Sequence, residues 1–528
     1  MKLELKSLKD KAWVDKGYAM PRFDIKRMRK NTASACRWVH FGSGNIFRAF
    51  LAAKAQELLE SGDLDSGIVV GEGFDAQMID KAYDKFDNLS IDVTLKGNGT
   101  VDKTVVASVA EAYVCNPAND KWARFCGIFQ NPALQMVSFT ITEKGYATAP
   151  DYVQQDILRG PEKCSTIICM VASLLLKRFE AGAYPLAVVS MDNCSRNGEK
   201  LGNGVMAVAQ RWMELGLVGK AFVDYVENPA KISFPWTMID KITPRPDASV
   251  AKMLSDDGVE DMDIVVTDRK TWIAGFVNSE ECEYLVVEDK FPNGRPRLEK
   301  AGVYFTDRET VTKVERMKVC TCLNPLHTAM SVAGCLLGYT KISDEMRDPD
   351  IVSYIKTLGY VEGLPVVTDP GILSPRSFID DVVYKRLPNP FMPDTPQRIA
   401  TDTSQKLAIR FGETVKAYQA NGLDMSKLEC LPLALASWMR YLLAIDDSGK
   451  AFEPSPDPLL ASAQEDMASV KLGSKVSASQ LEKIMRRSEI WGYDLYESSL
   501  KDKVVADFNM LNAGPGAVRR TLSSIVRK

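Results

Sequence analysis

One segment of the 528-residue chain, Glu315–His327, combines residue types that can move a proton at an alcohol oxygen. It contains Lys318, Asn324 and His327. A lysine shielded from water has a lowered pKa and can act as a general base, and amide N–H groups can hold an oxygen that gains negative charge. A neutral histidine can orient the same oxygen without competing for its charge. The segment therefore predicts acid–base chemistry on an alcohol or a carbonyl group.

Asn324 also has a purely structural interpretation. Asn324 followed by Pro325 is typical of a helix start, with the asparagine as N-cap and the proline in the first helical position. His327 would then lie in the first turn, where the helix dipole keeps an imidazole neutral. Lys318 taken alone would more often be a solvated surface lysine. The pattern by itself leaves both interpretations open.

A second segment has the composition of a phosphate-binding turn. It lies between a strand-like run, Trp38–Phe41, and a helical pattern, Asn45–Leu59, where a dinucleotide pyrophosphate would meet glycine backbone and a helix N-terminus. The third glycine of the G-x-G-x-x-G fingerprint is absent, so a simple tight turn is an alternative interpretation. The candidate cofactor-binding residues of this turn are Gly42, Gly44, Asn45, Ile46 and Phe47.

An acidic residue is expected after the second strand of a dinucleotide-binding fold. Glu72 and Asp75 both qualify, because they follow the apolar run Ile68–Val70. A carboxylate there would accept from a ribose hydroxyl and repel a 2′-phosphate, which favours NAD over NADP. Each of the two could instead be a solvated loop carboxylate.

The elements that must position these residues indicate an α/β fold. In the first 300 residues short apolar runs alternate with helical patterns, which is typical of a Rossmann-type parallel sheet covered on both faces. The strand-like runs are Trp38–Phe41, Ile68–Val70, Met136–Thr142, Leu186–Met191 and Ile264–Val266.

The second part of the chain is predicted to be mostly helical. The breaker-rich stretch Phe291–Pro296 marks a plausible boundary, and we expect an NAD-binding domain over residues 1–305 and a helical substrate or catalytic domain over residues 306–528. The helical patterns are Leu326–Leu337, Ile399–Tyr418, Leu431–Leu443, Ser477–Met485 and Val504–Leu511.

Composition argues against several kinds of site. The 66 Lys and Arg residues nearly balance 69 Asp and Glu, so no basic field for nucleic acid is expected. The chain has only two histidines, and its 11 cysteines contain no C-x-x-C pair, so no metal site is predicted. A short-chain dehydrogenase is excluded because no tyrosine precedes a lysine by four residues, and the P-loop motif is absent.

No export or membrane segment is predicted. The N-terminus, Met1–Asp24, is polar and charged, and the longest apolar run, Thr166–Leu176, is shorter than the ~20 residues of a membrane span. We therefore expect a cytoplasmic protein that does not contact membrane.

Together, several ordered motifs resemble one family, the long-chain, zinc-independent polyol dehydrogenases known as the mannitol dehydrogenase family. The family includes mannitol 2-dehydrogenase, fructuronate reductase and tagaturonate reductase. The matching motifs are Gly42–Gly44 with Arg48–Ala49, Thr140–Tyr146, Ser190–Asn193, Asn197–Gly198, Phe234–Pro235, Met238–Pro244, Glu288–Phe291, Gly294–Pro296, Glu299–Val303, the Lys318 segment, Arg386, Asn389–Pro390 and Ile399–Lys406.

The resemblance implies metal-independent hydride transfer between NAD(H) and a secondary alcohol of a polyol or sugar acid, with a ketose as the oxidised form. It implies that Lys318 is the catalytic acid/base, that Asn193 and Asn324 stabilise the oxyanion, and that His327 orients the substrate. The residues implied to contact substrate are Asp240, Glu315 (as a gating glutamate) and Arg386, and the further cofactor contacts are Thr140 and Glu143.

Three departures from the family pattern affect these expectations. The interval from Lys318 to Asn324 is one residue longer than usual, so a bulge or altered turn is needed to realign the pair. Asp394 and Thr395 replace a histidine and a basic residue in a loop that contacts substrate, and Ile46-Phe47 replaces the usual Phe-His. Arg386, Lys406 and Arg410 could form a carboxylate clamp or could simply be solvated. A non-catalytic sugar or nucleotide sensor on a dehydrogenase scaffold is the alternative function.

Overall fold

The computed structural model describes residues 1–526, and the chain divides into two compact units. The first unit comprises Met1–Leu95 and Thr100–Thr312, and the second comprises Lys96–Gly99 and Lys313–Lys528. The predicted boundary between residues 305 and 306 falls inside a strand of the first unit, a few residues before the observed division.

The strands all belong to the first unit, within the described residues. They are β1 (Tyr18–Ala19), β2 (Trp38–Phe41), β3 (Ile68–Glu72), β4 (Ser90–Leu95), β5 (Val101–Val106), β6 (Val109–Val114), β7 (Met136–Phe139), β8 (Leu186–Ser190), β9 (Ile232–Ser233), β10 (Thr237–Asp240), β11 (Val265–Val266), β12 (Trp272–Ile273), β13 (Phe276–Glu280), β14 (Tyr284–Glu288) and β15 (Tyr304–Thr306).

Six parallel strands form the central sheet, in the order β6-β3-β2-β7-β8-β9. This is the order of a dinucleotide-binding fold, whose topological switch point lies between the first strand, here β2, and the fourth, here β7. Alternate side chains of β2 enter different cores: Val39 and Phe41 pack in one hydrophobic cluster and Trp38 in another. The Rossmann-type sheet predicted from the sequence is confirmed.

The remaining strands lie outside this sheet. They form a four-stranded sheet (β1-β5-β4-β13), a three-stranded sheet (β10-β14-β15) and a hairpin (β11-β12). The expected sheet strand at Ile264–Val266 is therefore wrong: Val265 and Val266 pair only with β12 and are exposed. Three apolar residues between Asp263 and Thr267 supply too little surface for a core strand.

The helices cover the central sheet in the first unit and build nearly all of the second. In the first unit they are α1 (Lys11–Asp15), α2 (Ile25–Ser34), α3 (Ala52–Ser61), α4 (Trp122–Gln130), α5 (Asp151–Arg159), α6 (Ile167–Glu180), α7 (Asn197–Glu214), α8 (Lys220–Glu227) and α9 (Ala248–Asp256), and the division between units falls within α10 (Arg308–Met317). The second unit contains α11 (Asn324–Leu337), α12 (Ile342–Glu345), α13 (Pro349–Lys356), α14 (Pro375–Asp381), α15 (Pro396–Ala400), α16 (Glu413–Ala420), α17 (Cys430–Tyr441), α18 (Leu460–Asp466), α19 (Glu482–Met485), α20 (Ser488–Trp491), α21 (Lys501–Leu511) and α22 (Ala517–Val526).

The mostly helical second part is confirmed, with one long helix replaced by shorter pieces. The pattern over Ile399–Tyr418 predicted a single helix, but the chain breaks after α15 at Asp402, whose φ of 53° is left-handed. It resumes as a π-helical turn, Ala408–Gly412, that leads into α16. A residue at positive φ cannot continue a right-handed helix. The spacing of apolar residues over Ile399–Tyr418 therefore predicted a longer helix than the chain forms.

One helical stretch, Arg308–Leu337, is long and apolar enough to cross a membrane by length and composition. However, 78% of its most apolar window is buried within the protein, which is typical of a core helix.

His40 lies on β2 and is fully buried. It lies between Ser138, its partner on the neighbouring strand β7, and Thr140, the residue directly after β7. Its Nδ1 is 2.7 Å from Ser138 Oγ and its Nε2 is 2.9 Å from Thr140 Oγ1, while its ring stacks on Phe47 at a centroid distance of 4.1 Å. Burial lowers the pKa of His40 to about 3. The ring is therefore neutral under ordinary conditions.

We expect the His40→Gln variant to have a weaker dependence of stability on pH. Because the pKa of His40 is near 3 when folded and 6.5 when unfolded, wild-type unfolding takes up a proton there below about pH 6 and becomes easier as pH falls. The variant should lose about 1.4 kcal/mol per pH unit of that slope between roughly pH 6 and pH 4. Urea unfolding over this range tests the expectation; parallel slopes for the two proteins would contradict it, and the slopes should coincide above pH 7.

Candidate active site

The glycine turn after β2 is shaped by its backbone. Gly42 has φ +107°, and a Cβ atom there would lie 2.3 Å from the carbonyl oxygen of Thr140. At Gly44 a Cβ would meet nothing within 4 Å, so the turn is open on that side. The next helix begins at Asn45 and runs through a π-helical turn, Phe47–Leu51, into α3. A tight glycine turn beside a helix N-terminus and an open approach fit a pyrophosphate group.

Glu72 fastens this turn to the loop that follows β3. One carboxylate oxygen accepts from the backbone N–H and the hydroxyl of Ser43, and the other accepts from the N–H groups of Phe74, at 2.7 Å, and Asp75, at 3.0 Å. These four donors use the lone pairs of both oxygens. Glu72 is therefore not the solvated carboxylate considered above. Its oxygens have no lone pair left to accept from a ribose hydroxyl, and the side chain instead fixes the conformation of the turn.

Asp75 is also committed within the protein. It is 4% exposed, and it accepts a 2.6 Å hydrogen bond from the hydroxyl of Thr267. The solvated-loop interpretation is wrong for Asp75 too. Thr267 uses one of the two carboxylate oxygens of Asp75. The predicted contact of Asp75 with a ribose hydroxyl stays a prediction.

Other predicted cofactor residues have internal roles. Phe47 is fully buried and stacks on His40, so its side chain belongs to the core, and its contact with the cofactor stays a prediction. Thr140 places its hydroxyl against His40 and 3.4 Å from the Gly42 carbonyl. Asn45 donates a long hydrogen bond, 3.4 Å, to the carbonyl of Pro244.

A cleft of about 340 Å³ opens at the carboxyl ends of β7, β8 and β10, in the first unit. This edge of a parallel sheet is where such folds bind dinucleotides. Among the predicted residues, Ile46, Glu143 and Asn193 line the cleft together. The full lining is Ile46, Thr142, Glu143, Met191, Asp192, Asn193, Cys194, Ile239, Lys241 and Thr243.

One other predicted residue lies next to the cleft lining in the chain. Asp240 ends β10 directly between the lining residues Ile239 and Lys241 and is buried. Glu143 is exposed and forms an ion pair of 2.6 Å with Lys200.

Asp192 is a positioning residue that the sequence reasoning missed. Its carboxylate accepts from the backbone N–H of Ile141, at 3.1 Å, from that of Thr142, at 2.8 Å, and from the hydroxyl of Tyr146. Thr142 has φ 68°, a strained value for a β-branched residue. The carboxylate thus holds a strained lining residue in place, and the adjacency of Asp192 to Asn193 was the available signal.

In the second unit, Lys318 begins a π-helical turn, Lys318–Cys322, that joins α10 to α11. The N–H of Leu323 donates to the Lys318 carbonyl at 3.1 Å, the i to i+5 pattern that accommodates one additional residue. Lys318 is 5% exposed and is thus not the solvated lysine considered above. The altered turn expected from the longer interval to Asn324 is confirmed.

Asn324 is not an N-cap. Leu323 holds that position, Asn324 and Pro325 are the first helical residues, and no side-chain cap hydrogen bond is formed. The π turn ends at Cys322, and the single non-helical residue Leu323 joins it to α11. The Asn324 amide makes no hydrogen bond within residues 1–526, so the structural interpretation of this residue is wrong.

His327 is neutral, as predicted, although the main cause differs from the helix dipole. Its Nε2 atom is buried without a hydrogen-bond partner among the described residues. Burial lowers its pKa to about 3, and four positive side chains act in the same direction: Arg410, Arg398, Arg386 and Lys406.

The remaining predicted residues lie nearby in the chain or the unit. Glu315 is half-buried on α10, one turn before Lys318. Arg386 ends a π-helical turn, Val382–Arg386, and is 5% exposed. Within residues 1–526, no three His, Cys, Asp or Glu side chains are arranged to hold a metal ion.

Fold and site define the class: a dehydrogenase with a Rossmann-type domain followed by a helical domain. The family model of the mannitol dehydrogenase Rossmann domain matches residues 36–300, and that of the mannitol dehydrogenase C-terminal domain matches residues 310–512. The chain belongs to the mannitol dehydrogenase family.

Relatives extend over the whole chain. A D-mannonate oxidoreductase of Thermotoga maritima is 49% identical over 100% of this chain and 99% of its own length. A mannitol 2-dehydrogenase of Phaeosphaeria nodorum is 32% identical over 82% of this chain and 74% of its own. The structure of Pseudomonas fluorescens mannitol 2-dehydrogenase with NAD and D-mannitol has a TM-score of 0.68 and 25% identity, and the match covers 100% of both chains. The predicted NAD-dependent polyol or sugar-acid oxidoreductase is thereby confirmed as a class.

Substituting the two glycines of the turn should separate its folding from its binding role. Gly42→Ala should lower the free energy of unfolding by about 1–3 kcal/mol, because the added Cβ meets the Thr140 carbonyl at positive φ. Gly44→Ala should change it by less than about 0.5 kcal/mol yet weaken NADH binding about tenfold or more, because only the open approach is filled. Urea unfolding and NADH fluorescence titration test both; unimpaired NADH binding by Gly44→Ala would remove Gly44 from the cofactor site.

Proposed function

We propose that Lys318 is the general acid/base of a metal-independent oxidation of a secondary alcohol, with Asn324 and His327 acting on the same oxygen. The observation that carries the proposal is the uncapped start of α11: a buried lysine is followed by an asparagine amide with no structural hydrogen bond. The stability of the helix does not explain the Asn324 amide.

Oxidation of the alcohol removes a proton from oxygen and a hydride from carbon. NAD, when bound, supplies the acceptor for the hydride. The neutral amine of Lys318 takes the proton, and in the reverse direction its ammonium protonates the carbonyl oxygen. The residues that would hold the cofactor in the first unit are Gly42, Gly44, Ile46 and Glu143, and Asn193, which lines the same cleft, is the catalytic residue that this unit would supply.

The oxygen gains negative charge as the hydride leaves. The side-chain amide of Asn324 donates to it, and a fixed donor of this kind lowers the barrier by several kcal/mol. His327, held neutral by its surroundings, can orient the oxygen without adding a charge that would compete with Lys318.

We propose a sugar acid as the substrate, oxidised to its keto form, because the 49%-identical relative is a D-mannonate oxidoreductase. D-Mannonate with NAD is therefore the first substrate pair to test, and D-mannitol is the neutral comparison. A cytoplasmic location is part of the same proposal.

Lys318→Ala should reduce kcat for D-mannonate oxidation about 1,000-fold, the contribution of a positioned acid/base. Lys318→Arg keeps a positive charge but cannot give up its proton, so it should lose kcat to a similar extent. Steady-state rates of D-mannonate oxidation test both variants. Wild-type kcat in Lys318→Ala would assign the base role to another group.

Asn324→Asp should lose turnover while keeping its helix. The carboxylate cannot donate to the oxygen and repels its developing charge, so kcat should fall 100-fold or more. Circular dichroism and the melting temperature should match the wild type, because the Asn324 side chain caps nothing. Full activity in this variant would remove Asn324 from the mechanism.

The sensor function considered from the sequence gives a different result in the same assays. A sensor would bind NADH and D-mannonate but would show no turnover in the wild type, whatever the pH.

A further inference from the structure

The side chains around His327 carry more positive charge than the described carboxylates neutralise. Arg398 is paired with Asp394 and is mostly exposed, so its charge is balanced. Arg410 and Lys406 have no carboxylate within ion-pair distance among residues 1–526. The two lie on the segment between α15 and α16, on either side of the start of its π-helical turn.

Arg410 is held against the first turns of α11. Its Nη1 donates to the hydroxyl of Thr328, the residue after His327. The side chain is partly buried, and burial lowers the pKa of Arg410 to about 10. A guanidinium withdrawn from water without a carboxylate is unfavourable unless an anion completes the site.

Lys406 adds a second positive charge beside it. Its Nζ donates to the carbonyls of Thr401 and, at 3.2 Å, Ile399, which fixes the ammonium at the end of α15. Burial and then the charge of Arg410 lower the pKa of Lys406, so the two cations repel each other. The carboxylates nearest Lys406 are Asp402 and Asp457, and Asp457 is used in capping Ser404.

A nearby polar atom also lacks a partner. Nε2 of His327 is buried without a hydrogen bond in the described part of the chain. Arg410 and Lys406 together form a site suited to an anionic ligand with more than one acceptor oxygen, while the His327 nitrogen, one residue from the Thr328 that binds Arg410, is left for the reacting oxygen. A carboxylate meets a guanidinium in this way through two parallel hydrogen bonds.

We infer that Arg410, supported by Lys406, is the residue that selects a substrate bearing a carboxylate over the corresponding neutral polyol. The inference rests on the proposed function, since the carboxylate belongs to the substrate that Lys318 deprotonates. The carboxylate does not react, so its binding energy selects and orients the substrate.

D-Mannonate and D-mannitol provide a matched pair of ligands, because they differ only in a carboxylate and a CH₂OH group. We expect wild-type protein with NAD present to bind D-mannonate about 10- to 100-fold more tightly than D-mannitol, as charge-assisted hydrogen bonds predict. Arg410→Met should remove most of that preference. Calorimetric titration of both ligands measures it without requiring turnover.

Arg398→Met is the matched control. It removes one positive charge near His327, but a charge already paired with Asp394, so the preference for D-mannonate should change less than about threefold. If Arg410→Met and Arg398→Met lost the preference for D-mannonate equally, the preference would come from the summed positive charge of the region and not from a contact with Arg410. That result would overturn the inference. Retention of the preference in Arg410→Met would also overturn it.

Two further measurements apply if Arg410→Met does not fold. Arg410→Lys keeps the charge without the planar pair of donors and should retain only part of the preference. In the wild type, raising the salt concentration should weaken binding of D-mannonate and leave that of D-mannitol constant. Salt-independent binding of D-mannonate would overturn the inference, as would tighter binding of fructose 6-phosphate than of D-mannonate.

Failure of the proposed function gives a separate pattern. Binding of D-mannonate that depends on Arg410, without any turnover in the presence of NAD, would contradict the role of Lys318 and support the selection by Arg410. Turnover of D-mannonate and D-mannitol with equal efficiency would support the role of Lys318 and contradict the selection by Arg410.

Discussion

The π-helical turn at Lys318–Cys322 is the constraint on which the chemistry of the second unit depends. It absorbs the additional residue between Lys318 and Asn324 without ending the helical stretch that runs from α10 into α11. The backbone leaves helical geometry only at Leu323, no side chain caps the start of α11, and the Asn324 amide is left without a structural hydrogen bond. A loop in the same place would have required that amide as an N-cap.

In the first unit, the carboxylates of Glu72, which is buried, and Asp192, which is partly buried, hold the backbone of the candidate cofactor site. Glu72 joins the glycine turn to the end of β3, and Asp192 joins the end of β8 to the strained segment at Thr142. Both lie at the carboxyl edge of the parallel sheet, where several backbone N–H groups have no strand partner. Acidic side chains satisfy these donors, and the cleft keeps a defined shape.

The second unit uses charge differently. Around His327 two cations, Arg410 and Lys406, are kept near each other without a carboxylate partner in the described residues. Like charges in a partly buried site are unfavourable by themselves, and a bound anion relieves them. This arrangement connects the substrate proposed from the relatives with particular side chains.

The sequence by itself determined the fold class, the strand Trp38–Phe41, the glycine turn and the identity of the Lys318 segment, because hydrophobic period and short motifs are local properties. Only the tertiary structure decided what Glu72, Phe47 and Asn324 do. A carboxylate is a ligand contact or an internal brace according to which N–H groups reach it, and those groups come from distant parts of the chain. The same holds for the break at Asp402 and for the charge around His327, since neither backbone strain nor an uncompensated cation can be seen in residue types alone.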